Sequence, residues 1–473
     1  WVVLAKSADF NGIGKTYGVD PVIARVVRNR EVVGEQEMDE YFHPSTDRLY
    51  EPSLLKDAEK AAQILLTKIR RQAKIRIIGD YDIDGIFSTY ILYDGLKACG
   101  ACVDYTLPHR IKDGYGLSEK LIREAAEQGC DTILTCDNGI AAAAEIALAK
   151  ELGMTVVVTD HHEVPLHWEG DTAAAVLVQR ACGQPDAWQK YLQYAAFATI
   201  GDVMELRGEN RTITTLGLEQ LRRTDNIGLQ ALIACSGLNA DQLRAYYIGY
   251  VIGPCINATG RLDTAKRALE LLIETDHWRA QKIAQELVSL NDERKQLTTE
   301  GVEEAVRLVE EQELWKHPVL VVYLPQTHES LAGIIAGRLR ERYYRPTYVL
   351  TNGEDCVKGS GRSIPSYHMY EHLSRVGSLL IKFGGHAMAA GLSLAPEHLE
   401  EFERLLCEQA QLSEEDLTET IRIDVPMPIS YITETLIGQL SVLEPCGNGN
   451  EKPIFADKEL LARRAFLIGK ERN

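Results

Sequence analysis

From about residue 74 onward, the hydrophobic positions alternate between short continuous runs, typical of buried strands, and stretches with helical spacing. Short apolar runs rich in β-branched residues predict strands at Lys74–Gly79, Thr132–Cys136 and Thr155–Thr159. Stretches of helical character lie between them, at Ile86–Ala98 and Ala141–Leu152. Strands that alternate with helices at this spacing indicate an α/β fold with a parallel, doubly wound sheet. In such sheets ligands bind at the carboxyl ends of the strands, so the chemistry is expected there.

A second α/β pattern follows a mainly helical region at about residues 217–272. Trp278–Leu314 carries apolar residues at helical spacing without proline, which predicts a long connecting helix, although a glycine at position 301 weakens its middle. A strand is then predicted at Val319–Tyr323, a helix at Leu331–Arg342 and a strand at Thr347–Leu350. The pattern therefore indicates a second, smaller α/β domain after the long helix.

A chain of 473 residues is too long for one compact core, so two or three domains are expected. The patterns predict an N-terminal extension at 1–50, a catalytic domain at 51–275 whose helical part starts at about 217, a connecting helix at 276–315, a second domain at 316–425 and a third unit at 426–473. The chain starts with Trp1 rather than Met, so we expect that some leading residues precede it.

Charge and cysteine content narrow the choice of function. The net charge of -18 argues against a surface built for nonspecific duplex binding but leaves room for a local basic groove. Ten scattered cysteines, no apolar run near 20 residues and no signal segment favour a cytoplasmic protein without a membrane partner. Cys99 and Cys102 form a lone CxxC, which we interpret as two small buried cysteines between a helix and the next strand.

Acidic residues follow the apolar segments at four places. They are Asp80, Asp82 and Asp84 after the first strand, Asp137 after the second, Asp160 with His161 and His162 after the third, and Asp202 after the apolar stretch Ala195–Ile200. A single aspartate at such a place is commonly a turn or capping residue. Several carboxylates at one sheet edge repel each other, and they stay ionised only beside a cation.

Carboxylate and imidazole ligands without a thiolate suit Mn²⁺ or Mg²⁺. Two such ions, about 3.5–4 Å apart and sharing a bridging carboxylate, would activate water and stabilise charge on a phosphoryl group. The sequence therefore predicts two-metal hydrolysis of a phosphoester.

The sequence DYDIDG at residues 80–85, CDNG at 136–139, the Asp160-His161-His162 triplet and the Gly-Asp pair at Asp202 resemble the motifs of the DHH phosphoesterase superfamily. The resemblance implies metal ligands at Asp82, Asp84, Asp137, His161 and Asp202. It implies that Asp137 is the bridging ligand, and that Asp137, His161 and His162 are catalytic residues. It implies that Asp80 and Asp160 are ligands or support the ligands, and that His162 lies close to the scissile phosphate.

Two glycine-rich segments of the second domain resemble the substrate-binding domain that accompanies many DHH domains. They are KGSGRS at 358–363, which includes Arg362 and Ser363, and FGGHAMAAG at 383–391, which includes Gly384, Gly385 and His386. A glycine pair lets a backbone approach phosphate closely, and arginine supplies a charged fork. The resemblance therefore implies substrate binding by this domain.

Further segments are similar to the RecJ-type exonucleases of this superfamily. GPCINATGRL at 253–262 contains Asn257 and Arg261, and LEPCGNGN at 443–450 resembles the entry to an oligonucleotide-binding (OB) fold. About 25 residues after Asn448 are too few for a five-stranded barrel, so a truncated OB domain is expected. We expect that some of the arginines Arg110, Arg261, Arg338 and Arg362 contact the DNA backbone, and that at least one pair binds a terminal 5′ phosphate.

The resemblance implies a 5′-to-3′ exonuclease in DNA repair and recombination that releases nucleoside 5′-monophosphates from single-stranded DNA. Two Mn²⁺ or Mg²⁺ ions would be its cofactors, and a single-strand-binding protein and a helicase its protein partners. Two alternatives stay open: a phosphodiesterase for short oligonucleotides or cyclic dinucleotides, and a non-catalytic DNA-binding scaffold. Phosphodiesterases of the first kind are typically shorter than this chain, and a non-catalytic scaffold is expected to have lost carboxylates. A type II pyrophosphatase fits less well, because of the length of the chain and its acidic first motif.

Overall fold

The computed structural model describes residues 1–110, 112–162, 182–183, 186–461 and 464. The strands in chain order are β1 Val2–Val3, β2 Ile75–Ile78, β3 Val103–Thr106, β4 Thr132–Cys136, β5 Thr155–Thr159, β6 Leu320–Tyr323, β7 Thr347–Asn352, β8 Val357–Arg362, β9 Leu380–Gly385, β10 Ala389–Leu394, β11 Arg422–Ile423, β12 Val425–Pro426 and β13 Phe455–Ala456. The α-helices are α1 Phe10–Tyr17, α2 Pro21–Asn29, α3 Glu35–Phe42, α4 Ala58–Arg70, α5 Ile83–Ala98, α6 Glu119–Glu127, α7 Ala143–Glu151, α8 Leu192–Gly201, α9 Gly208–Leu221, α10 Ile227–Cys235, α11 Ala245–Tyr247, α12 Gly253–Leu262, α13 Lys266–Ile273, α14 His277–Glu311, α15 Ala332–Tyr343, α16 Met369–Arg375, α17 Leu399–Gln409 and α18 Glu434–Gln439.

The first sheet has the strand order β3-β2-β4-β5, and all of its pairs are parallel. β2 and β4 are completely buried because these mainly apolar strands lie inside the sheet between two helical layers, and the buried Arg76 of β2 pairs with Asp104 of β3. The parallel α/β sheet predicted from the sequence is confirmed. Strand β3 was not predicted, since its sequence VDYT is short, half-buried and lies at an edge.

Helices α8 to α13 form an apolar layer against α5. Its core joins Ile83 and Phe87 of α5 to Phe197 of α8, and the two phenylalanine rings stack with their centroids 4.6 Å apart. A π-helical turn at Ile248–Ile252 leads into α12. This layer therefore holds the start of α5, which follows directly on the first acidic cluster.

The long helix α14 begins at His277 and ends at Glu311, close to the predicted bounds. Asp276 caps it, because its side chain accepts a hydrogen bond from the backbone N–H of Arg279. The glycine at position 301 has a packing role: a Cβ there would lie 2.6 Å from Cδ1 of Ile335 on α15. Gly301 therefore lets the second domain pack closely on the long helix.

The second sheet has the order β6-β7-β8-β10-β9, parallel between β6 and β7 and antiparallel elsewhere. The glycine-rich segment at 358–363 is part of its central strand, β8, rather than a loop. Glycine lets side chains pack closely on this strand, because a Cβ at Gly359 would lie 2.3 Å from Cδ2 of Leu350, and one at Gly361 would lie 2.3 Å from Sδ of Met369. The predicted mixed architecture of two α/β domains joined by a helix is confirmed.

The N-terminal segment and the C-terminal segment share one core. Val26 and Met38 pack with Val425 and Leu443, and β1 pairs with β11. These segments were predicted as separate units, and their domain bounds stay a prediction.

The lone CxxC lies between α5 and β3 as expected, but Cys102 is exposed and Cys99 only partly buried, so the predicted burial of both was wrong. Within the described part of the chain no helix is long and apolar enough to cross a membrane.

Candidate metal centre

Asp80 and Asp82 lie in the loop between β2 and α5. Asp80 is fully buried, and its Oδ1 accepts a hydrogen bond of 3.2 Å from the backbone N–H of Gly116. The loop is tight: a Cβ at Gly85 would lie 2.8 Å from the backbone of Asp80. Asp84 is in the first turn of α5, so the helix start fixes three carboxylates at one strand end.

Asp137 follows strand β4 directly and has a left-handed backbone conformation, with φ 61°, and its side chain is buried. The next residue, Asn138, donates from Nδ2 to the carbonyl oxygens of Ile78 (3.1 Å) and Cys136 (2.8 Å). These bonds tie the ends of β2 and β4 together. Asp137 is therefore held next to the first acidic cluster.

The DHH triplet follows strand β5. Nε2 of His161 lies 3.0 Å from Oδ1 of Asp137, 3.5 Å from Oδ2 of Asp84 and 4.0 Å from Oδ2 of Asp202. Asp160 has a different role, because its Oδ2 accepts from the backbone N–H of Ile140 (2.9 Å) and its Oδ1 lies 2.7 Å from Nδ1 of His162. Asp160 thus orients His162, whereas His161 joins three carboxylates.

Asp202 reaches the site from a different direction than the sheet. The apolar stretch before it is helix α8, and Asp202 is the C-terminal capping residue of that helix. A Cβ at Gly201 would lie 2.4 Å from Ile83, which shows how closely α8 approaches α5. Asp84 and Asp202, with Asp137 and His161, line a cavity of about 390 Å³.

Burial and mutual repulsion shift the acidities in this site. Burial, reinforced by the charge of Asp137, raises the pKa of Asp80 to about 7, and burial with repulsion from Asp84 raises the pKa of Asp82 well above its ordinary value. Burial and repulsion from Asp84 also raise the pKa of Asp202 to about 6. Hydrogen bonds with Asp137 and Asp84 raise the pKa of His161 to about 10. The carboxylates therefore cannot all be ionised together without a compensating cation.

The arrangement fits divalent cations. Ligand atoms lie within 4.8 Å of one another in three groups: Asp80 with Asp82 and Asp137, Asp84 with His161 and Asp202, and Asp137 with both histidines. Oδ2 of Asp80 and Oδ1 of Asp82 are buried and have no hydrogen-bond partner among the residues that the structure describes. Buried polar atoms normally have a partner, so these oxygens suit a metal ion. Asp137 belongs to two of the groups, and its role as a bridging ligand stays a prediction.

An arginine-lined cleft of about 460 Å³ lies between the first domain and the second. Arg110, Arg261 and Arg362 line it together with Gly384. Burial and, to a smaller extent, repulsion from Arg110 lower the pKa of Arg362. The same two causes, together with repulsion from further arginines, lower the pKa of Arg261 to about 9. We call these three residues the arginine triad. Clustered positive charge of this kind suits an anion such as phosphate.

Helix α12 connects the arginine triad to the metal centre. A Cβ at Gly260 would lie 2.5 Å from the carbonyl oxygen of Tyr81, so the helix packs directly on the loop that carries Asp80 and Asp82. The next residue, Arg261, donates from Nη1 to the carbonyl oxygen of Ser330 in the second domain (2.7 Å). One helix turn thus contacts both domains.

The other predicted substrate-binding residues are more dispersed. Asn257 lies on α12, Gly384 and Gly385 end β9, and His386 begins the turn between β9 and β10. Arg338 lies on the exposed face of α15 and pairs with Glu341 at 3.3 Å. Ser363 is buried, and its hydroxyl donates to the carbonyl oxygen of Tyr367. The roles of these residues stay predictions.

Several contacts at the site were not predicted from the sequence. Tyr115 donates to the backbone oxygen of Asp137 (2.7 Å) and lies 3.1 Å from Nδ1 of His162. Lys358 and Lys382 line the arginine cleft, where Lys358 pairs with Glu329 at 2.7 Å. Tyr115 sits between two glycines in the sequence, but nothing in that spacing indicates its hydrogen bonds.

The fold and the site define a DHH protein. The DHH family N-terminal domain matches residues 74–219, the DHHA1 domain matches 316–412 and the RecJ OB domain matches 423–473.

Relatives make the assignment more specific. The single-stranded-DNA-specific exonuclease RecJ of Haemophilus influenzae is 30% identical over 98% of this chain and 87% of its own length. RecJ of Bacillus subtilis is 35% identical over 92% of this chain, which spans 58% of that relative's length. The crystal structure of RecJ from Thermus thermophilus in complex with Mn²⁺ superposes with a TM-score of 0.85 at 28% identity, over 97% of this chain and 69% of that one. The chain belongs to the RecJ family.

Proposed function

We propose that this chain is a metal-dependent exonuclease that hydrolyses single-stranded DNA from its 5′ end and releases nucleoside 5′-monophosphates. The observation that carries the proposal is that α12 connects the carboxylate cluster to the arginine triad. Gly260 on this helix packs on the loop that carries Asp80 and Asp82, and the next residue, Arg261, belongs to the triad and contacts the second domain. Membership of the RecJ family supports single-stranded DNA as the substrate. The complete set of carboxylates argues against the scaffold alternative, since a non-catalytic protein has no need to keep them.

Two Mn²⁺ or Mg²⁺ ions are the proposed cofactors. Asp80, Asp82 and Asp137 would hold one ion, and Asp84, His161 and Asp202 the other. Asp137 also lies 3.0 Å from Nε2 of His161, a member of the second group. When bound, the ions activate water and stabilise the negative charge that develops on the phosphoryl group. The Mn²⁺ complex of the Thermus thermophilus relative supports manganese as one of the two choices.

His162 is the proposed contact to the scissile phosphate. Its imidazole is about half exposed, and it contacts the carboxylate of Asp160 and the hydroxyl of Tyr115. The hydrogen bond with Asp160, aided by that carboxylate's charge, raises the pKa of His162, which favours the protonated ring. A protonated imidazole can donate to a phosphoryl oxygen and stabilise its charge.

The arginine triad is the proposed site of a terminal 5′ phosphate. A doubly charged phosphate would relieve the repulsion among the three guanidinium groups, and Arg110 is already stacked on the ring of Tyr81, 4.8 Å from its centroid. Tyr81 lies between Asp80 and Asp82, so a phosphate held there places the next phosphodiester near the metal centre. This order gives cleavage from the 5′ end.

A helicase and a single-strand-binding protein follow as proposed partners, in repair and recombination, because the enzyme needs strands that are already separated. The cleft between two domains joined by a rigid helix is proposed to admit one strand and exclude a duplex.

The test uses DNA with a 3′ label and either a 5′ phosphate or a 5′ hydroxyl, as a single strand or as a blunt duplex. We expect a ladder that shortens from the 5′ end, formed fastest from the phosphorylated single strand. Equal rates on the blunt duplex would contradict strand selection, and shortening of a 5′-labelled strand with its label retained would contradict the direction. Cleavage of dinucleotides alone would move the assignment to the short-oligonucleotide alternative.

A further inference from the structure

Two tyrosines form an exposed stack outside the metal centre and the arginine cleft. Tyr246 on α11 and Tyr250 on the π-helical turn have ring centroids 5.0 Å apart and planes at 26°. Their exposed fractions are 54% and 71%, which is high for aromatic residues in a folded domain. A core or capping function does not account for two stacked rings that are each more than half exposed.

A positive charge accompanies these rings. Nζ of Lys452, in the C-terminal segment, lies 5.8 Å from the centroid of Tyr246. Aromatic rings beside basic side chains are the common way in which proteins bind single strands, since every base has a face to stack and every nucleotide a phosphate. We call Tyr246, Tyr250 and Lys452 the tyrosine patch.

The backbone of the tyrosine patch is connected to the metal centre. Gly249, between the two tyrosines, packs toward Ile200, with its Cβ position 3.7 Å from that side chain, and Ile200 lies two residues before Asp202. The segment that carries Lys452 is attached to the same region, because Asn448 donates from Nδ2 to the carbonyl oxygen of Val203 (2.9 Å). The π-helical turn itself is an irregularity that is frequent at functional sites.

We propose that the tyrosine patch stacks on bases of the single strand downstream of the cleavage site and holds the strand while its 5′ end is in the metal centre. The inference rests on the proposed function and adds the residues that bind the undigested part of the substrate. Stacking on an exposed pair of rings is independent of base sequence, as an exonuclease that digests any strand requires.

The first experiment measures binding in EDTA, by fluorescence anisotropy, of 5′-phosphorylated, 3′-labelled oligothymidylates of about 20 and about 4 nucleotides. The double variant Tyr246→Ala, Tyr250→Ala is expected to bind the long strand about tenfold more weakly and the short strand as the wild type does. Tyr246→Phe with Tyr250→Phe keeps the rings and is expected to bind normally. Trp278→Ala, which removes another exposed aromatic residue (73%), is the surface control.

A second experiment needs no variant for its main result. The affinity of the wild-type protein for the long strand is expected to fall about tenfold when the internal nucleotides are abasic. The alanine double variant should bind this abasic strand as strongly as the wild type does. Losses that multiply, or an alanine variant that binds both lengths like the wild type, would overturn the inference.

Hydrolysis of the phosphorylated short strand with Mn²⁺ separates the two proposals. If the wild type cleaves it while the tyrosine patch proves irrelevant, only the present inference fails. If no strand of any length is cleaved, the proposed function fails.

Discussion

At the scale of single residues, the metal centre is recognisable by side chains that are unfavourable without a ligand. Oδ2 of Asp80 and Oδ1 of Asp82 are buried without a partner in the described part of the chain, and burial raises the pKa values of both carboxyl groups. The sequence predicted this cluster because the aspartates follow buried strands. It did not indicate which carboxylate supports a histidine: Asp160 contacts His162 and a backbone N–H, which depends on the path of the loop after β5.

Asp80→Asn is expected to stabilise the metal-free protein. The pKa of Asp80 is about 7 in the folded chain, whereas its ordinary value is 3.8. The free-energy cost of ionising Asp80 in the folded chain is therefore absent below about pH 4, grows as the pH rises toward 7 and stays constant above that pH. At pH 8 in EDTA the variant should be more stable by on the order of 1–3 kcal/mol, measured by urea unfolding. With Mn²⁺ the order should reverse. Equal stability of both proteins at pH 8 and pH 4 in EDTA would contradict the account.

Arg362→Gln is expected to raise KM for 5′-phosphorylated single-stranded DNA by about ten- to a hundredfold, because a charge-assisted bond to phosphate is lost. The effect on 5′-hydroxyl DNA should be clearly smaller, and steady-state kinetics on both substrates measures the difference. Arg404→Gln is the matched control, since Arg404 is an exposed arginine that pairs with Glu408 on α17. A similar increase in KM on both substrates would contradict the proposal that the arginine triad binds the 5′ phosphate.

At the scale of elements, the sequence pattern predicted two strands of the first sheet with their observed bounds. They are β4 and β5, which are short runs rich in β-branched residues in a parallel sheet. The strands β8, β9 and β10 were not predicted, since glycines that permit close packing hide the strand pattern. The stretch before Asp202 gave no period, and it is a helix buried on several sides. The arginine cleft combines segments far apart in sequence, so spacing alone could not reveal it.

Helix α12 gives a prediction at this scale. Gly260→Ala puts a Cβ 2.5 Å from the carbonyl oxygen of Tyr81, so the helix or the metal-binding loop has to move. We expect a loss of roughly 1–3 kcal/mol in stability and a larger proportional loss of activity and Mn²⁺ affinity. Gly337→Ala is the control, because on α15 no described atom of a neighbouring element lies within 4 Å of its Cβ position. Calorimetric titration of Mn²⁺ into both variants provides the measurement, and unchanged Mn²⁺ affinity in Gly260→Ala would contradict the proposed contact.

At the scale of the whole molecule, the two ends of the described chain stabilise each other. The guanidinium of Arg30 and the carboxylate of Asp424 form a buried pair, with Nη1 to Oδ1 at 2.7 Å. Arg211 on α9 donates to several backbone carbonyls of the C-terminal segment, including those of Val442 and Glu444 at 3.0 Å. The C-terminal segment is thus anchored to the catalytic domain as well as to the N-terminal segment.

Arg30→Met and Asp424→Leu test this coupling. Each single change leaves a buried charge without its partner, and we expect each to cost roughly 3–5 kcal/mol in the free energy of unfolding. The double variant should be clearly more stable than the sum of the two losses predicts. Chemical unfolding of the four proteins gives the coupling energy, and simple additivity would show that the pair does not join the two ends.

The most direct test of the central claim is hydrolysis of 5′-phosphorylated, 3′-labelled single-stranded DNA by wild type, Asp137→Asn and Asp292→Asn, each with Mn²⁺ and with EDTA. Asp292 is an exposed carboxylate on α14 that pairs with Lys295, so its variant controls for loss of charge alone. We predict progressive shortening by the wild type and Asp292→Asn with Mn²⁺ only, and a loss of at least about a thousandfold in Asp137→Asn. Undiminished hydrolysis by Asp137→Asn, or hydrolysis in EDTA, would contradict the assignment of the metal centre.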